Sequence, residues 1–322
     1  MHVILKSNIH KGILVITHKE FPFFERNNNL NYLCEKYYVI LHIGANIQIP
    51  RYDSRISFIA LPESRCSQKE HIPFTSRSFT PSCFYCEPTN KRNIDFLCVS
   101  RAIHIKHTKE VLSLFTGLHY NLTYIILKQN PKDKYYREVI SNKYPDNIRI
   151  IDTHNIEDRE YKGLTHEQLS KYYKNSKVFI QSSLSEGESR TIHEAYCSGC
   201  VIMSIDNMIG GGNDFYNKKN YVLYNFKTFR QKVTDALSLA SNYSKIPNDI
   251  KFLDEKYSIP RFKKFLNKNF PKLATGKWDL DKLSLKLPAH FFKLPWYLKN
   301  DMTSDILTDF QFDIFAREYL IK

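Results

Sequence analysis

Short apolar runs separated by polar breaks occupy the first part of this chain, at residues 3–5, 13–17, 38–43 and 57–61. Residues 21–36, between the second and third runs, read as helix in their latter part, so the segment predicts a small α/β unit. Residues 64–94 then lose periodicity and carry Pro73, Pro81 and Pro88 among Ser and Thr. That composition predicts a long loop or linker with at most one short helix, and it places a domain boundary there.

From Asp95 onward the rhythm becomes regular. Strands are predicted at 96–99, 122–127 and 148–151. Helices are predicted at 107–118, where Val111, Leu112, Phe115 and Leu118 recur at helical spacing, and at 134–143. Thr165 opens a T-H-E-Q capping box for a helix running to about residue 175. A strand at 178–181 empties into a Ser/Gly-rich turn, which is expected to open a helix that ends before another apolar run at 201–205. This unit carries Glu186 and Glu194, whose spacing of a little over two helical turns lets both address one cleft. Strict strand and helix alternation predicts a parallel, doubly wound sheet with ligands at the carboxyl ends of its strands.

Charge and cysteine usage bound the partners and the compartment. The formal net charge is +14 over 322 residues, spread over the first 272 with no solid basic block. A small anionic ligand on a basic surface is the leading reading; an anionic membrane surface and nucleic acid stay open as partners. No apolar run is long enough to span a membrane and no signal peptide is read. Seven cysteines, an odd number without a dense framework, suit a reducing compartment, and the expected location is cytoplasmic, with peripheral membrane attachment left open. Cys83/Cys86 and Cys197/Cys200 have zinc-knuckle spacing but lack a convincing second pair, so no metal site is expected.

The run from Leu164 to Ser204 resembles the donor-binding domain of GT-B-fold retaining glycosyltransferases, the group that includes glycogen-synthase-like and sucrose-synthase-like enzymes. Glu186 and Glu194 have the spacing of that group's Glu-x7-Glu motif. The stretch V-S-R-A-I-H-I-K supplies Arg101 and Lys106 at the spacing of its Arg-x4-Lys pair. The likeness covers about residues 94–270. It implies an α/β GT-B fold, with two Rossmann-like domains facing a cleft and the N-terminal one reduced. The expected division is 1–93 for the acceptor domain and linker, 94–272 for the donor domain, and 273–322 for an aromatic, partly helical tail packing back on the N-terminal domain.

The resemblance implies a nucleotide-sugar donor, UDP- or GDP-linked, with no cofactor or metal required, and a glycan or lipid-linked sugar as acceptor. Arg101 and Lys106 would contact the diphosphate, where negative charge builds as the leaving group departs. Glu186 would bind the transferred sugar, and Glu194 the ribose hydroxyls. Gly187, Glu188, Ser189, Arg190 and Thr191 would line the donor site, partly through backbone amides at a helix start. The sequence departs from the group in reading G-E-S-R after Glu186, and in lacking a Gly-rich turn after the second strand of the domain. His10, His18, His42 and His71 are candidates for a catalytic histidine from the N-terminal domain, His18 being favoured because it follows a strand end. Two other functions stay open: glycosylation of modified DNA bases, and a non-catalytic nucleotide-sugar-binding or scaffold role.

Overall fold

The computed structural model describes residues 2–5, 11–18, 21–25, 29–43, 53–61, 66, 68–69, 71–72, 74, 79–87, 91–127, 130–155, 164–211, 220–242 and 254–271. These fall into two compact units. One holds the described residues up to Phe79 and from Glu255 onward; the other is Thr80–Asp254. The aromatic tail, residues 273–322, and His10 lie outside the described residues.

The first unit is built on a five-stranded sheet, β1 (His2–Leu5), β2 (Gly12–Thr17), β3 (Tyr37–His42), β4 (Phe58–Ala60) and β5 (His71–Ile72), in that spatial order. β1 is antiparallel to β2, and the remaining pairs are parallel. Helices α1 (Phe21–Glu25) and α2 (Asn29–Lys36) connect β2 to β3. Alternation along β2 sorts its side chains to two faces. Leu14 and Ile16 join Val39, Leu41, Phe24, Leu30 and Leu33 in one core cluster. Ile13 and Val15 join Ile40 and Ala60 in a second. With both faces covered, the strands read as unbroken apolar runs.

The second unit begins with β6 (Ile94–Ser100), α3 (Thr108–Phe115), β7 (Leu122–Ile126), α4 (Lys134–Ser141) and β8 (Ile148–Asp152). It continues with α5 (His166–Lys174), β9 (Ser176–Gln181), β10 (Ser185–Glu188), α6 (Arg190–Cys197), β11 (Val201–Ile205), β12 (Ile209–Gly211), β13 (Tyr221–Tyr224) and α7 (Phe229–Asn242). Six strands form a parallel sheet in the order β13-β11-β9-β6-β7-β8. From β6 the chain builds outward through β7 and β8, then returns to the other side of β6 with β9. The order therefore reverses between β6 and β9, and at such a reversal the loops leaving the two strands part to leave a crevice. The capping box at Thr165 forms, with Gln168 N–H donating to the Thr165 hydroxyl at 3.2 Å and Thr165 N–H to the Gln168 side chain at 2.9 Å.

Three expectations are corrected. The turn after β9 does not open the helix directly: residues 185–188 form β10, which pairs in parallel with β12, and α6 starts only at Arg190. Short two-stranded pairing of this kind leaves no run of alternation to read. Second, part of the expected linker is structured: His71–Ile72 is a sheet strand, and Phe84 is fully buried, 5.6 Å from the Tyr173 ring. Third, the closing helix α8 (Glu255–Asn269), expected within residues 94–272, falls in the first unit. It covers the second face of the first sheet with Phe262, Leu266 and the following Phe270. The Phe262 ring lies 4.9 Å from Phe74, and that of Phe270 lies 4.8 Å from Tyr38.

Phe84 lies in the segment that sequence patterning reads as linker, yet it fills a core site. Phe84→Ala is expected to destabilise the protein by about 3–5 kcal/mol through lost burial and a residual cavity. Urea unfolding should show a clear fall in midpoint; a change within error would show that the segment is a linker energetically.

Candidate donor site at the sheet reversal

The loop leaving β6 is pinned at both ends from below. The Tyr124 hydroxyl on β7 lies 2.7 Å from Ser100 Oγ, the last residue of β6, and donates at 3.0 Å to Thr108 Oγ1 at the start of α3. Tyr124 is fully buried, and burial pushes its phenol well above the ordinary value, so it stays a hydroxyl. Between these anchors run Arg101 and a short 3-10 turn, His104–Lys106. His107 then takes a left-handed conformation, φ 49°, which is uncommon for a residue with a Cβ and breaks the turn before α3 begins.

The loop leaving β9 is laced to this one across the reversal. The Ser182 hydroxyl donates to the Lys106 carbonyl, Ser183 to the Ile105 carbonyl at 3.4 Å, and the Leu184 amide to the same carbonyl at 3.3 Å. The Ile209 amide in turn donates to the Leu184 carbonyl at 2.8 Å and brings β12 alongside β10. These contacts join segments about eighty residues apart and set where Glu186 can sit.

Lys106 and Glu186 meet. Lys106 Nζ forms an ion pair with Glu186 Oε1, and Gln181 Nε2 donates to the same oxygen at 2.9 Å. Each partner of the pair keeps 17% of its side chain exposed, so the pair is screened on one side and open on the other. Arg101 is exposed, and among the described residues its side chain makes no hydrogen bond or ion pair. The reversal therefore carries one free guanidinium, one ammonium, one carboxylate and one amide. Gln181 was not singled out from sequence; its signal was a polar residue ending an otherwise apolar strand.

Glu194 has a different setting. Only 3% exposed on α6, it forms an ion pair with Arg190 Nε at 3.1 Å through Oε1 and accepts from the Tyr173 hydroxyl at 3.2 Å through Oε2. Arg190 Nη2 lies 3.1 Å from His166 Nε2. A guanidinium can only donate, so His166 must accept and be neutral at that nitrogen. Burial, then the Arg190 charge, pushes the imidazole down to about 4. Burial and the Glu194 charge push the Tyr173 phenol well up, which keeps it a donor. His166 and Tyr173 were not expected at the site: they lie twenty residues or more before their partners.

The other expected residues are placed as follows. Gly187 and Glu188 complete β10. Ser189 is the buried N-cap of α6, its hydroxyl 3.1 Å from that of Thr191. His18 lies in the first unit, just past β2, where its amide donates to the His42 carbonyl at 2.9 Å. Cys86 Sγ and Cys200 Sγ lie 3.7 and 3.8 Å from the Arg92 guanidinium, a structural clamp beside Gly199. There a Cβ would come within 2.5 Å of Cys86 Sγ, and φ is +76°. Among the described residues no group of three or more His, Cys, Asp or Glu side chains is placed to hold a metal ion. Nor is any helix long and apolar enough to cross a membrane.

No protein-family model matches the sequence, and no curated protein matches it significantly. Solved structures match the fold. TarM aligns with a TM-score of 0.55 at 16% identity, over 79% of this chain and 54% of its own. The pneumococcal O-GlcNAc transferase GtfA in complex with UDP and GlcNAc aligns at 0.51 and 13% identity, over 75% and 54%. Sucrose-phosphate synthase from Thermosynechococcus elongatus aligns at 0.51 and 10% identity, over 74% and 69%. The chain thus spans about half the length of the first two. The shared feature is the fold, which is of the GT-B type.

The neutral His166 predicts a stability slope. Its folded-state pKa of about 4 lies below the ordinary value of 6.5, so the unfolded chain binds the proton first as pH falls. The contribution is intact above pH 6.5 and is lost progressively as pH falls toward 4. Thermal melts should therefore drop more steeply over this window in the wild type than in His166→Gln; parallel slopes would sink the assignment.

Proposed function

We propose that this chain is a retaining glycosyltransferase that binds a nucleotide-sugar at the reversal between β6 and β9. The observation that carries the reading is the meeting of Lys106 with Glu186 beside an unpaired Arg101, at the carboxyl ends of the two strands between which the sheet order reverses. That grouping supplies what glycosyl transfer from a diphosphate needs. The bond from the anomeric carbon to a phosphate oxygen breaks and a bond to an acceptor hydroxyl oxygen forms. The acceptor proton leaves with the departing diphosphate, and the anomeric carbon passes through a cation-like state.

Arg101 offers a planar fork to two phosphate oxygens and Lys106 a point charge. Both meet negative charge that grows as the leaving group departs, so their contribution is larger in the transition state than in the ground state. Glu186, positioned by Gln181, accepts from hydroxyls of the transferred sugar and lies where positive charge develops. The Lys106–Glu186 ion pair is then the resting arrangement, which the donor opens by inserting phosphate on one side and sugar on the other. Amides of the turn after β10 and of the first turn of α6, from Glu188 to Thr191, add dipolar stabilisation. His18, in the first unit just past the end of β2, is our candidate for a catalytic histidine. The acceptor is a glycan or lipid-linked sugar, and the donor is UDP- or GDP-linked; the pneumococcal neighbour holds UDP and GlcNAc, which makes UDP-sugars the first to test.

A thermal-shift screen of UDP-, GDP-, ADP- and CMP-sugars should show one class raising the melting temperature, with about 2.7 kcal/mol of stabilisation at a hundredfold excess over Kd. With that donor, Lys106→Ala and Arg101→Ala should each lower kcat/KM for transfer by about 10²–10³-fold, the loss typical of removing one stabiliser of developing negative charge. Unchanged transfer in both variants would defeat the reading, and binding without any turnover would mark a non-catalytic protein.

A further inference from the structure

We infer that the outward face of α8 docks on an anionic phospholipid surface. The inference is independent of the donor-site reading, because α8 lies in the other unit. The 15 residues of this helix carry five cations, Lys256, Arg261, Lys263, Lys264 and Lys268, against one acid, Glu255. At about 100° per residue, a helix that sets Phe262 and Leu266 into the core swings Lys256, Tyr257, Lys264 and Lys268 to the opposite arc, with Lys263 at its edge. Lys263, Lys264 and Lys268 are exposed, and among the described residues none of them forms a hydrogen bond or ion pair. They lie within about 7.5 Å along the helix axis, less than the screening length of ~8 Å at physiological salt. Their charges therefore act together. Like charges at the spacing of Lys264 and Lys268 oppose helix formation, and an anionic partner removes that opposition.

Three features select a lipid surface as the polyanion. First, α8 lies flat on its sheet with its apolar arc taken up by the core, so only the other side of the helix projects. Such a helix does not enter a nucleic-acid groove, but it offers a shallow convex face to a plane. Second, the exposed charge is ammonium on flexible stems. The one guanidinium of the helix, on Arg261, is half-buried with its central carbon 5.7 Å from the centre of the Phe74 ring, so α8 presents no open fork for bidentate phosphate recognition. Third, Tyr257 stands in the same arc, 39% exposed, its ring centre 5.8 Å from Lys256 Nζ. An apolar ring with a polar tip beside ammonium groups suits the headgroup level of a bilayer. Since the apolar face of α8 is already used, the helix does not insert. The attachment is electrostatic, peripheral and sensitive to salt.

Sedimentation of the full chain with vesicles tests this. At about 0.1 M salt the protein should pellet with vesicles of phosphatidylcholine and phosphatidylglycerol in equal parts and stay in solution with phosphatidylcholine alone, and about 0.5 M salt should release it. Lys263→Gln, Lys264→Gln and Lys268→Gln combined should weaken the partition by about 100-fold, at about fivefold per lysine, with the melting temperature within a few degrees. Should that variant not fold, Lys264→Gln alone should still weaken it by about fivefold. Lys132→Gln, Lys134→Gln and Lys227→Gln combined, which removes the same charge from exposed positions of the second unit, should leave the partition nearly unchanged. No pelleting with the anionic vesicles, an α8 variant that partitions like the wild type, or an equal loss in the second-unit variant would overturn the inference. So would tighter binding to duplex DNA or RNA than to the vesicles at the same salt.

Discussion

The reversal of strand order between β6 and β9 is the constraint on which the candidate site depends. Within a parallel sheet, adjacent loops usually leave in the same sense and close over one another. At a reversal they part, and the polar groups of each loop need partners across the gap. Here the partners are found by lacing the Ser182–Leu184 segment onto the Ile105 and Lys106 carbonyls. That lacing brings an ammonium and a carboxylate together from positions eighty residues apart. Beneath it, the Ser100–Tyr124–Thr108 hydroxyl chain fixes the β6 loop to the core.

Two carboxylates of the same chemical type receive opposite treatment within eight residues. Glu186 stays at a half-open edge, where its ion pair with Lys106 is partly screened by solvent. Glu194 is withdrawn from solvent. At that depth a lone carboxylate would carry a desolvation penalty of several kcal/mol, and the Arg190 and Tyr173 contacts offset it. The difference between the two glutamates is burial, and burial depends on which face of α6 meets α5.

The first unit is completed by a segment remote in sequence. Its sheet is covered on one face by α1 and α2, and on the other by α8, whose Phe262 and Leu266, with the following Phe270, join Ile13, Val15 and Ile40 in one core cluster. A unit of about eighty residues buries a smaller share of its surface than a larger domain does, so a borrowed aromatic helix adds core that the local chain does not supply. Chain order and unit membership therefore part company at Glu255, although composition does not change there.

Much of the fold was legible from period alone. Strands β1 to β4, β6 to β9 and β11, the T-H-E-Q cap and the helices α3 and α4 follow from apolar spacing, because local backbone geometry and burial impose the same periods, whereas the short strands β5, β10, β12 and β13 carry no such run. The Arg101 and Lys106 spacing and the Glu186 and Glu194 spacing were also visible as patterns of residue type. Pairing was not. That Lys106 meets Glu186, that Arg190 lies on Glu194 against a neutral His166, and that α8 joins the first unit are long-range contacts whose closure leaves no local period. The sequence by itself determined the elements and the chemical groups available. Tertiary packing alone decided which groups meet, which of the two glutamates is buried and which keeps an open edge.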